Sequence, residues 1–428
     1  MSYYQTLSEK QLKTEISELE DRLAFYRAKN LKLNMARGKP SVEQVASSKE
    51  LFDVLNSQSD FSDEGVDSLN YGALRGIPSA INFFAQLLEV EPEEVFVGGS
   101  SSLILEYDML CRALIFGVLG EKPQFSNPHR KFLCPVPGYD RHFKIAENLG
   151  YELVYIPMTD KGPDMDQVEK AVEDENVKGI WIVPKYSNPS GVSFSDETMR
   201  RLAALKPQAK DFRIYCDNAY AVHDLYPESP DKVLALLPLA KEYGNEDLVY
   251  LYASTSKMTV PGAGVSAFAC SEKNMASQIE LMKAHTISYD KVNMLRHVRF
   301  FKDIDGVKAH MKKQASFLSP KFDLVDKAFH EGFDGFDIAE WNKPKGGYFV
   351  SLYTKEPIAK ELVELCKDVG VILTSAGSSF PYGKDPHNSH VRICPSYPSL
   401  DELESALEII TCCVKYLSAR KAEAVDEH

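Results

Sequence analysis

Residues 212–220 read FRIYCDNAY, and residues 248–257 read LVYLYASTSK. Each stretch is an apolar run with polar side chains at its carboxyl end, a pattern typical of a buried strand in a parallel sheet. Ligands of open α/β sheets bind at the carboxyl ends of the strands. We therefore expect Asp217, Tyr220 and Lys257 to lie together in one site of an α/β domain.

The chemistry of these three side chains suits an aromatic aldehyde cofactor. Lys257 can form a Schiff base, Asp217 can keep a pyridine nitrogen protonated, and Tyr220 can hydrogen-bond a phenolate oxygen. Those are the attachment points of pyridoxal phosphate. Taken singly, an Asp after a strand is more often a cap or turn residue, and a Lys beside Ser and Thr is usually solvated.

Two upstream segments fit the same cofactor. Residues 183–191, VPKYSNPSG, are a turn signature that ordinarily connects a strand to a helix, but the amide of Asn188 could also contact the ring oxygen and a substrate carboxylate. Residues 95–103, VFVGGSSSL, lead from a strand into an apolar helix predicted over 103–114. Backbone amides and hydroxyls at such a helix start can hold a phosphate.

In this order the segments resemble the fold type I pyridoxal-phosphate enzymes, specifically the class I aminotransferases. The resemblance extends from about Met35 to about Leu417 and is nearest to the aspartate aminotransferase-like branch known from corynebacteria. Other matching pieces are Asn70-Tyr71-Gly72, Gly76-Ile77-Pro78, Pro137-Gly138-Tyr139, Gly346-Gly347-Tyr348-Phe349 and Val391-Arg392-Ile393.

The resemblance implies a role for each matching residue. Lys257 would be the Schiff-base lysine and general base, and Asp217 would pair with the pyridine nitrogen, with His142 behind it. The remaining implied contacts are Tyr220 and Asn188 at the ring oxygen, Tyr139 on the ring face, Gly99, Ser100, Ser101 and Ser254 at the phosphate with Tyr71 from a second subunit, and Gly38, Asn188 and Arg392 at the substrate.

The segment after Lys257 departs from the family pattern. Relatives usually carry an Arg there that clamps the phosphate, whereas residues 257–265 read KMTVPGAGV. The corynebacterial branch shares this loop, so we interpret the change as a subgroup trait. Either the serines and backbone amides hold the phosphate, or a cation comes from elsewhere in the chain.

Composition narrows the partners and the compartment. The formal net charge of −13 argues against nucleic acid or an anionic membrane as a partner. No apolar stretch approaches the roughly 20 residues of a membrane span, and the N-terminal residues show no secretory signal. The eight cysteines lie mostly in apolar runs, and no spacing predicts a metal site. We expect a cytoplasmic protein with reduced thiols.

Alternating strands and helices predict a large, mostly parallel sheet domain over residues 48–290. Residues 1–47 and 291–428 are expected to form a smaller α+β domain, with an amphipathic N-terminal helix over 7–31 that packs either on this domain or on a partner subunit. One long helical stretch is predicted over 294–331, a closing helix over 400–417, and a disordered tail from Ala419.

The leading functional hypothesis is transfer of an amino group between an amino acid and a 2-oxo acid by a homodimer. The branch resemblance favours aspartate or glutamate. Alternatives are aromatic or broad specificity, a β-lyase or decarboxylase, and a non-enzymatic cofactor-sensing module. Candidate cations for a distal carboxylate are Arg37, Arg75, Arg141, Lys185, Lys291 and Arg296, each of which is individually more typical of a surface charge or structural ion pair.

Overall fold

The computed structural model of the chain describes residues 2–426, and side chains as far as residue 424. The helices are α1 Glu9–Ala28, α2 Val42–Ala46, α3 Pro78–Leu88, α4 Ser102–Phe116, α5 Asp140–Asn148, α6 Met165–Ala171, α7 Asp196–Ala203, α8 Leu236–Glu242, α9 Glu272–Met282, α10 Lys291–Phe301, α11 Ile304–Phe333, α12 Ala359–Val369 and α13 Leu400–Asp426. Short 3₁₀ helices cover Tyr3–Thr6, Lys49–Phe52, Pro92–Glu94, Gln124–Ser126, Glu246–Leu248, Pro261–Ala263 and Pro381–Gly383.

The strands are β1 Leu33–Asn34, β2 Ser62–Asp63, β3 Val66–Asp67, β4 Val95–Val97, β5 Lys131–Val136, β6 Glu152–Thr159, β7 Gly162–Pro163, β8 Val177–Ile182, β9 Arg213–Asp217, β10 Val249–Ser254, β11 Ser266–Cys270, β12 Ala339–Trp341, β13 Val350–Thr354, β14 Val371–Ile372 and β15 His390–Ile393. Eight of them form one sheet in the order β4-β11-β10-β9-β8-β5-β6-β7. The neighbours from β10 through β6 are parallel, whereas β11 runs antiparallel to β10 and β4, and β7 to β6.

Alternating side chains of the large sheet supply two separate cores. On β9 and β10, Ile214, Cys216 and Leu251 face one core, while Tyr215 and Tyr250 face the other. Successive side chains of a strand point to opposite faces, so both faces of the sheet are buried. This agrees with the apolar runs of the sequence and with the predicted α/β fold. Among residues 2–426, no helix is both long enough and apolar enough to span a membrane.

A second, smaller unit surrounds the antiparallel sheet β12-β13-β15. Its core joins α1, α12, α13 and the latter half of α11, and β1 pairs in parallel with β14, so the N-terminal segment returns to this unit. The buried residues of α1 recur at spacings of three and four, as expected of an amphipathic helix, and α1 packs on α13; they are Leu12, Ile16, Leu19, Leu23 and Tyr26. The sequence left two packing partners open for this helix, and in the structure it packs on the smaller unit.

Helix α11 passes from one core to the other. Val307 and Met311 belong to a core of the large sheet, whereas Leu318 and Phe322 belong to the core of the smaller unit. An exposed proline, Pro320, lies within the helix beside this change of core. The division of the chain at residue 290 stays a prediction; by side-chain packing, α10 belongs to the core of the large sheet.

Two predictions for the C-terminal part are wrong. The single helix over 294–331 is two helices, because Lys302 has a left-handed φ of 68° and the side chain of Asp303 caps α11 by accepting the N–H of Gly306. The tail from Ala419 is helical as far as Asp426, since Ala419 and Ala422 face the core of the smaller unit. The prediction of disorder for residues 427 and 428 lies outside the described residues.

Candidate active site

The carboxyl ends of β9 and β10 bring the three predicted residues together. β9 ends at Asp217 and its parallel neighbour β10 ends at Ser254. Lys257 follows in a turn, and its Nζ lies 4.8 Å from the centre of the Tyr220 ring. The carboxylate, the phenol and the amine therefore occupy one site, as the strand pattern indicates.

The turn that carries Lys257 is held by the core. Thr255 accepts the N–H of Val265 on its hydroxyl and that of Met258 on its carbonyl. The hydroxyl of Tyr348 donates to the carbonyl of Lys257 at 3.2 Å. The backbone under the amine is thus fixed, which limits the amine to the reach of its own side chain.

The protein surroundings favour the neutral form of this amine. Burial lowers the pKa of Lys257, and the carboxylates of Asp217 and Glu106 oppose that shift only in part. The amine of Lys257 is therefore neutral to a larger fraction than the amine of an exposed lysine. The neutral amine is the form that attacks a carbonyl and accepts a proton.

Behind Asp217 lies a buried cluster of ionisable groups. Nε2 of His142 is 3.5 Å from Oδ2 of Asp217 and 3.1 Å from Oε2 of Glu106, distances typical of ion pairs although neither contact has the alignment of a hydrogen bond. The imidazole stacks on Trp181 at 4.6 Å and meets the edge of Tyr139 at 4.8 Å. The ring of His142 is therefore held by Trp181 and Tyr139, with both carboxylates at its Nε2.

The charges of neighbouring groups determine the protonation of His142 and Glu106. Burial alone would lower the pKa of His142, but Glu106 and Asp217 outweigh it and raise the pKa to about 9. Burial, and then the charge of Asp217, raise the pKa of Glu106 to about 7. The two carboxylates at Nε2 therefore favour the cationic form of His142.

Several buried polar atoms around Lys257 have no partner among the described residues. They include Oδ1 of Asp217, the hydroxyl of Tyr220 and Nε of Arg392. Buried polar atoms are nearly always hydrogen-bonded, so these atoms mark contacts for a bound molecule. An acceptor for a ring nitrogen, a donor for a ring oxygen and a nearby amine fit pyridoxal phosphate.

The Gly-Ser turn and the loop after Lys257 pack directly on each other. Gly99 has a φ of 75°, in the left-handed region, and leads to Ser101, the N-cap residue of α4, whose side chain makes no capping bond. The hydroxyl of Ser256 donates to the carbonyl of Ser100 at 2.8 Å. A Cβ on Gly264 would lie 2.5 Å from that carbonyl oxygen, so this glycine permits the approach. The free N–H groups at the start of α4, beside these small residues, are suited to hold an anion.

The smaller unit contributes a guanidinium from β15. Arg392 has a side chain 8% exposed, and its Nη1 lies 3.2 Å from Oδ1 of Asp140 and 3.4 Å from Oδ1 of Asn188. The guanidinium lies over the ring of Phe349. A side chain at Gly38 would collide with the same ring, so the backbone of that segment comes close to the site.

Comparison with known proteins identifies the family. The profile described as Aspartate amino-transferase matches residues 7–426. The chain belongs to this aminotransferase family. An aspartate aminotransferase of Corynebacterium glutamicum is 42% identical over 395 residues, with 92% of this chain and 91% of that protein covered.

Solved structures agree with the assignment. The crystal structure of an aspartate transaminase from Corynebacterium glutamicum superposes with a TM-score of 0.95 at 39% identity, covering 99% of both chains. An α-aminoadipate aminotransferase from Thermus thermophilus, at 18% identity and a TM-score of 0.73 over 91% of this chain and 93% of that chain, shows the same fold. The protein is an aminotransferase of the corynebacterial branch, and pyridoxal phosphate is its cofactor.

Most candidate cations for a distal carboxylate already have partners in the aminotransferase. Arg75 donates to the carbonyls of Pro92 and Val95, and Lys185 pairs with Asp224 at 2.8 Å. Lys291 is 3% exposed and donates to the carbonyls of Asn70 and Gly72. Nη1 of Arg296 donates to Oδ1 of Asn293, and its guanidinium lies over the ring of Phe52. Arg37 and Arg141 are exposed.

Tyr71 does not lie against the site of its own chain. Its side chain is 80% exposed, on the short loop that Lys291 fastens through its two carbonyl contacts. An exposed aromatic ring on a fastened loop is available to another chain. The role of Tyr71 at the partner's phosphate stays a prediction.

Sequence reasoning missed two carboxylates of the aminotransferase site. Glu106 lies in the apolar helix α4, four residues after its first residue, Ser102, and its side chain is fully buried. A charged residue on an otherwise apolar helix face was the available signal. Asp140, the partner of Arg392, begins α5 two residues before His142, where an acidic residue is ordinarily explained as a favourable helix start.

Proposed function

We propose that this aminotransferase moves the amino group of aspartate or glutamate to a 2-oxo acid. The observation that carries the amino-acid part of the proposal is Arg392, a buried guanidinium with an unpartnered Nε beside Asn188. A planar fork of this kind suits a substrate carboxylate. The names of the two Corynebacterium glutamicum relatives support a dicarboxylic donor.

The chain's own residues divide the work. Asp217 would accept a hydrogen bond from the ring nitrogen of the cofactor, and Tyr220 would donate one to its ring oxygen. Lys257, on its fixed turn, would accept the proton from the substrate's Cα. Bound pyridoxal phosphate supplies the aldehyde that accepts the amino group and a ring that withdraws electrons from Cα.

Arg392 is proposed to bind the α-carboxylate of every substrate. In the structure its Nη1 faces Asp140, so a substrate carboxylate takes the place that Asp140 now occupies. Arg392 belongs to the smaller unit, and Asp140 and Asn188 follow strands of the large sheet. A substrate held between them joins the two units and excludes water from the amine of Lys257.

Arg141 is proposed to recognise the distal carboxylate. It is exposed, lies beside Asp140 and His142, and is one of two exposed cations among the candidates, the other being Arg37. A cation there distinguishes dicarboxylic from apolar donors, because only the former carry the second charge.

A panel of amino donors with 2-oxoglutarate tests the proposal. We expect aspartate or glutamate to give the highest kcat/KM. Arg392→Ala should reduce kcat/KM for aspartate and phenylalanine alike by about tenfold to a hundredfold, since a hydrogen bond to a charged group contributes about 1.5–3 kcal/mol. Arg141→Gln should affect aspartate selectively, with Arg37→Gln as the matched control. An Arg392→Ala defect confined to dicarboxylic donors would show that the two carboxylate sites are exchanged.

We further propose that two chains complete each active site. Ile104, Tyr107 and Ile115, spaced along one face of α4, are 43%, 45% and 52% exposed, and Tyr71 is 80% exposed. An apolar face on the helix that starts at the phosphate turn suits a second copy of the chain. Sedimentation of the holoenzyme should give a dimer. Tyr71→Phe should weaken cofactor binding without dissociating the dimer. A fully active monomer contradicts this.

A further inference from the structure

Glu106 is a fully buried carboxylate that the proposed roles leave unexplained. Its oxygens have no hydrogen-bond partner of good alignment, and its one close polar neighbour among the described residues is Nε2 of His142, at 3.1 Å. A buried unpaired charge is strongly unfavourable, and an apolar side chain of similar size would serve a helix core better. The position therefore has a role other than stability.

The placement of Glu106 connects the phosphate turn to the ring site. It lies in the second turn of α4, the helix whose start forms the proposed phosphate cradle. One side-chain oxygen or nitrogen from each of Glu106, His142 and Asp217 lies within 4.8 Å of the corresponding atoms of the other two. The ionisable groups whose charges act on or respond to Glu106 are Asp217, His142, Lys257, Tyr139, Cys216 and Tyr252.

We propose that Glu106 is a positioning residue for transamination: its carboxylate holds the imidazole of His142 against Asp217 and keeps that imidazole protonated. Both carboxylates then face the cationic imidazole at the same nitrogen, Nε2, and Oδ1 of Asp217 stays free for the ring nitrogen. The second negative charge also favours a protonated ring, since charges interact strongly in a buried site. The inference rests on the proposed role of Asp217.

The first measurement uses the protein without its cofactor. In ¹⁵N-histidine-labelled apoprotein at pH 8, we expect the ring of His142 to carry protons on both nitrogens, its signals being assigned by their loss in His142→Asn. Glu106→Gln keeps the shape and removes the charge, and the ring should then be neutral at pH 8. A neutral His142 in the wild type, or a charged one in Glu106→Gln, overturns the inference. The wild-type measurement decides even where the variant fails to fold.

The second measurement follows the holoenzyme. Glu106→Gln should lower kcat about tenfold to a hundredfold, as loss of the outer partner of a functional group typically does, with KM for the amino donor nearly unchanged. The pH at which the bound cofactor's absorption band changes should move down, because removal of a buried negative charge disfavours the protonated form of a nearby nitrogen. Glu106→Asp should recover part of both effects.

A matched control separates this role from the loss of a buried acid. Glu94 is 3% exposed and pairs with Lys241 near the start of β4. Glu94→Gln should lower stability while leaving kcat and the absorption change as in the wild type. Equal kcat in Glu106→Gln and Glu94→Gln overturns the inference about Glu106 and leaves the proposed function standing. A wild type that binds no cofactor or transfers no amino group overturns the proposed function.

Discussion

At the residue scale, removal of the Lys257 amine separates chemistry from folding. Lys257→Ala should reduce kcat by about 10²–10⁴-fold, the usual contribution of a positioned proton-transfer group, and by more where the covalent step is also lost. Its turn is held by Thr255 and Tyr348 through backbone atoms, so the thermal midpoint of the apoprotein should change little. Borohydride treatment of the wild type should fix the cofactor on the peptide that contains Lys257, and labelling elsewhere rules the assignment out.

Asp140 is expected to compete with substrates for Arg392. Asp140→Asn removes the carboxylate 3.2 Å from Nη1 of Arg392, so the guanidinium binds a substrate carboxylate without first losing a partner. The side chain of Asp140 is 33% exposed, and partly exposed ion pairs contribute about 0.2–1 kcal/mol. KM for aspartate and phenylalanine should therefore fall by up to about fivefold. An increase in both KM values would mean that Asp140 instead orients the guanidinium.

Residues that end strands were predictable from the sequence pattern, whereas His142 came only from the family resemblance and Glu106 was missed. Asp217 and Lys257 follow apolar runs whose carboxyl ends meet at one edge of a parallel sheet, which local pattern alone indicates. Glu106 approaches His142 only because α4 and α5 pack side by side. No spacing within one segment encodes that contact, so the sequence gives no position for it.

At the scale of elements, Lys291 links the start of α10 to the loop of Tyr71. Lys291→Met should leave the carbonyls of Asn70 and Gly72 without their donor, a loss of about 1.5–3 kcal/mol, the usual contribution of a hydrogen bond to a charged group. We expect faster amide hydrogen exchange over residues 70–76 and weaker dimerisation. Lys283→Met, at an exposed lysine paired with Glu280, is the control. Unchanged exchange in Lys291→Met would show that the loop is held by other contacts.

The break between α10 and α11 shows where local pattern misleads. Apolar residues recur at helical spacing on both sides of Lys302, so periodicity alone predicts one helix. The signal that competes with it is Asp303-Ile304-Asp305-Gly306, in which the first side chain caps the last N–H. A new helix starts at the Asp303 cap because the cap satisfies free N–H groups at the start of α11.

At the scale of the whole molecule, His142 makes stability depend on pH. Its pKa is raised from 6.5 to about 9 in the folded apoprotein, so its contribution is complete below pH 6.5 and is lost as the pH rises to about 9. Thermal midpoints of the apoprotein should decline over that interval, and the decline should be shallower in His142→Asn. His129→Asn, at an exposed histidine, should keep the wild-type slope. A slope that survives in His142→Asn assigns the effect to other groups.

Helix α11 is also a mechanical element. Its 30 residues span roughly 45 Å and are anchored in two separate cores, so relative rotation of the two units must bend this rod. Pro320 lacks the N–H that would stiffen the rod beside the point where its anchorage changes. Pro320→Ala should raise the thermal midpoint and slow the approach of Arg392 to the large sheet, seen as a lower rate of substrate-induced spectral change. Ser316→Ala, on the exposed face one turn earlier, should leave that rate unaltered. We therefore expect the flexural stiffness of α11 to set how readily the enzyme closes on its substrate.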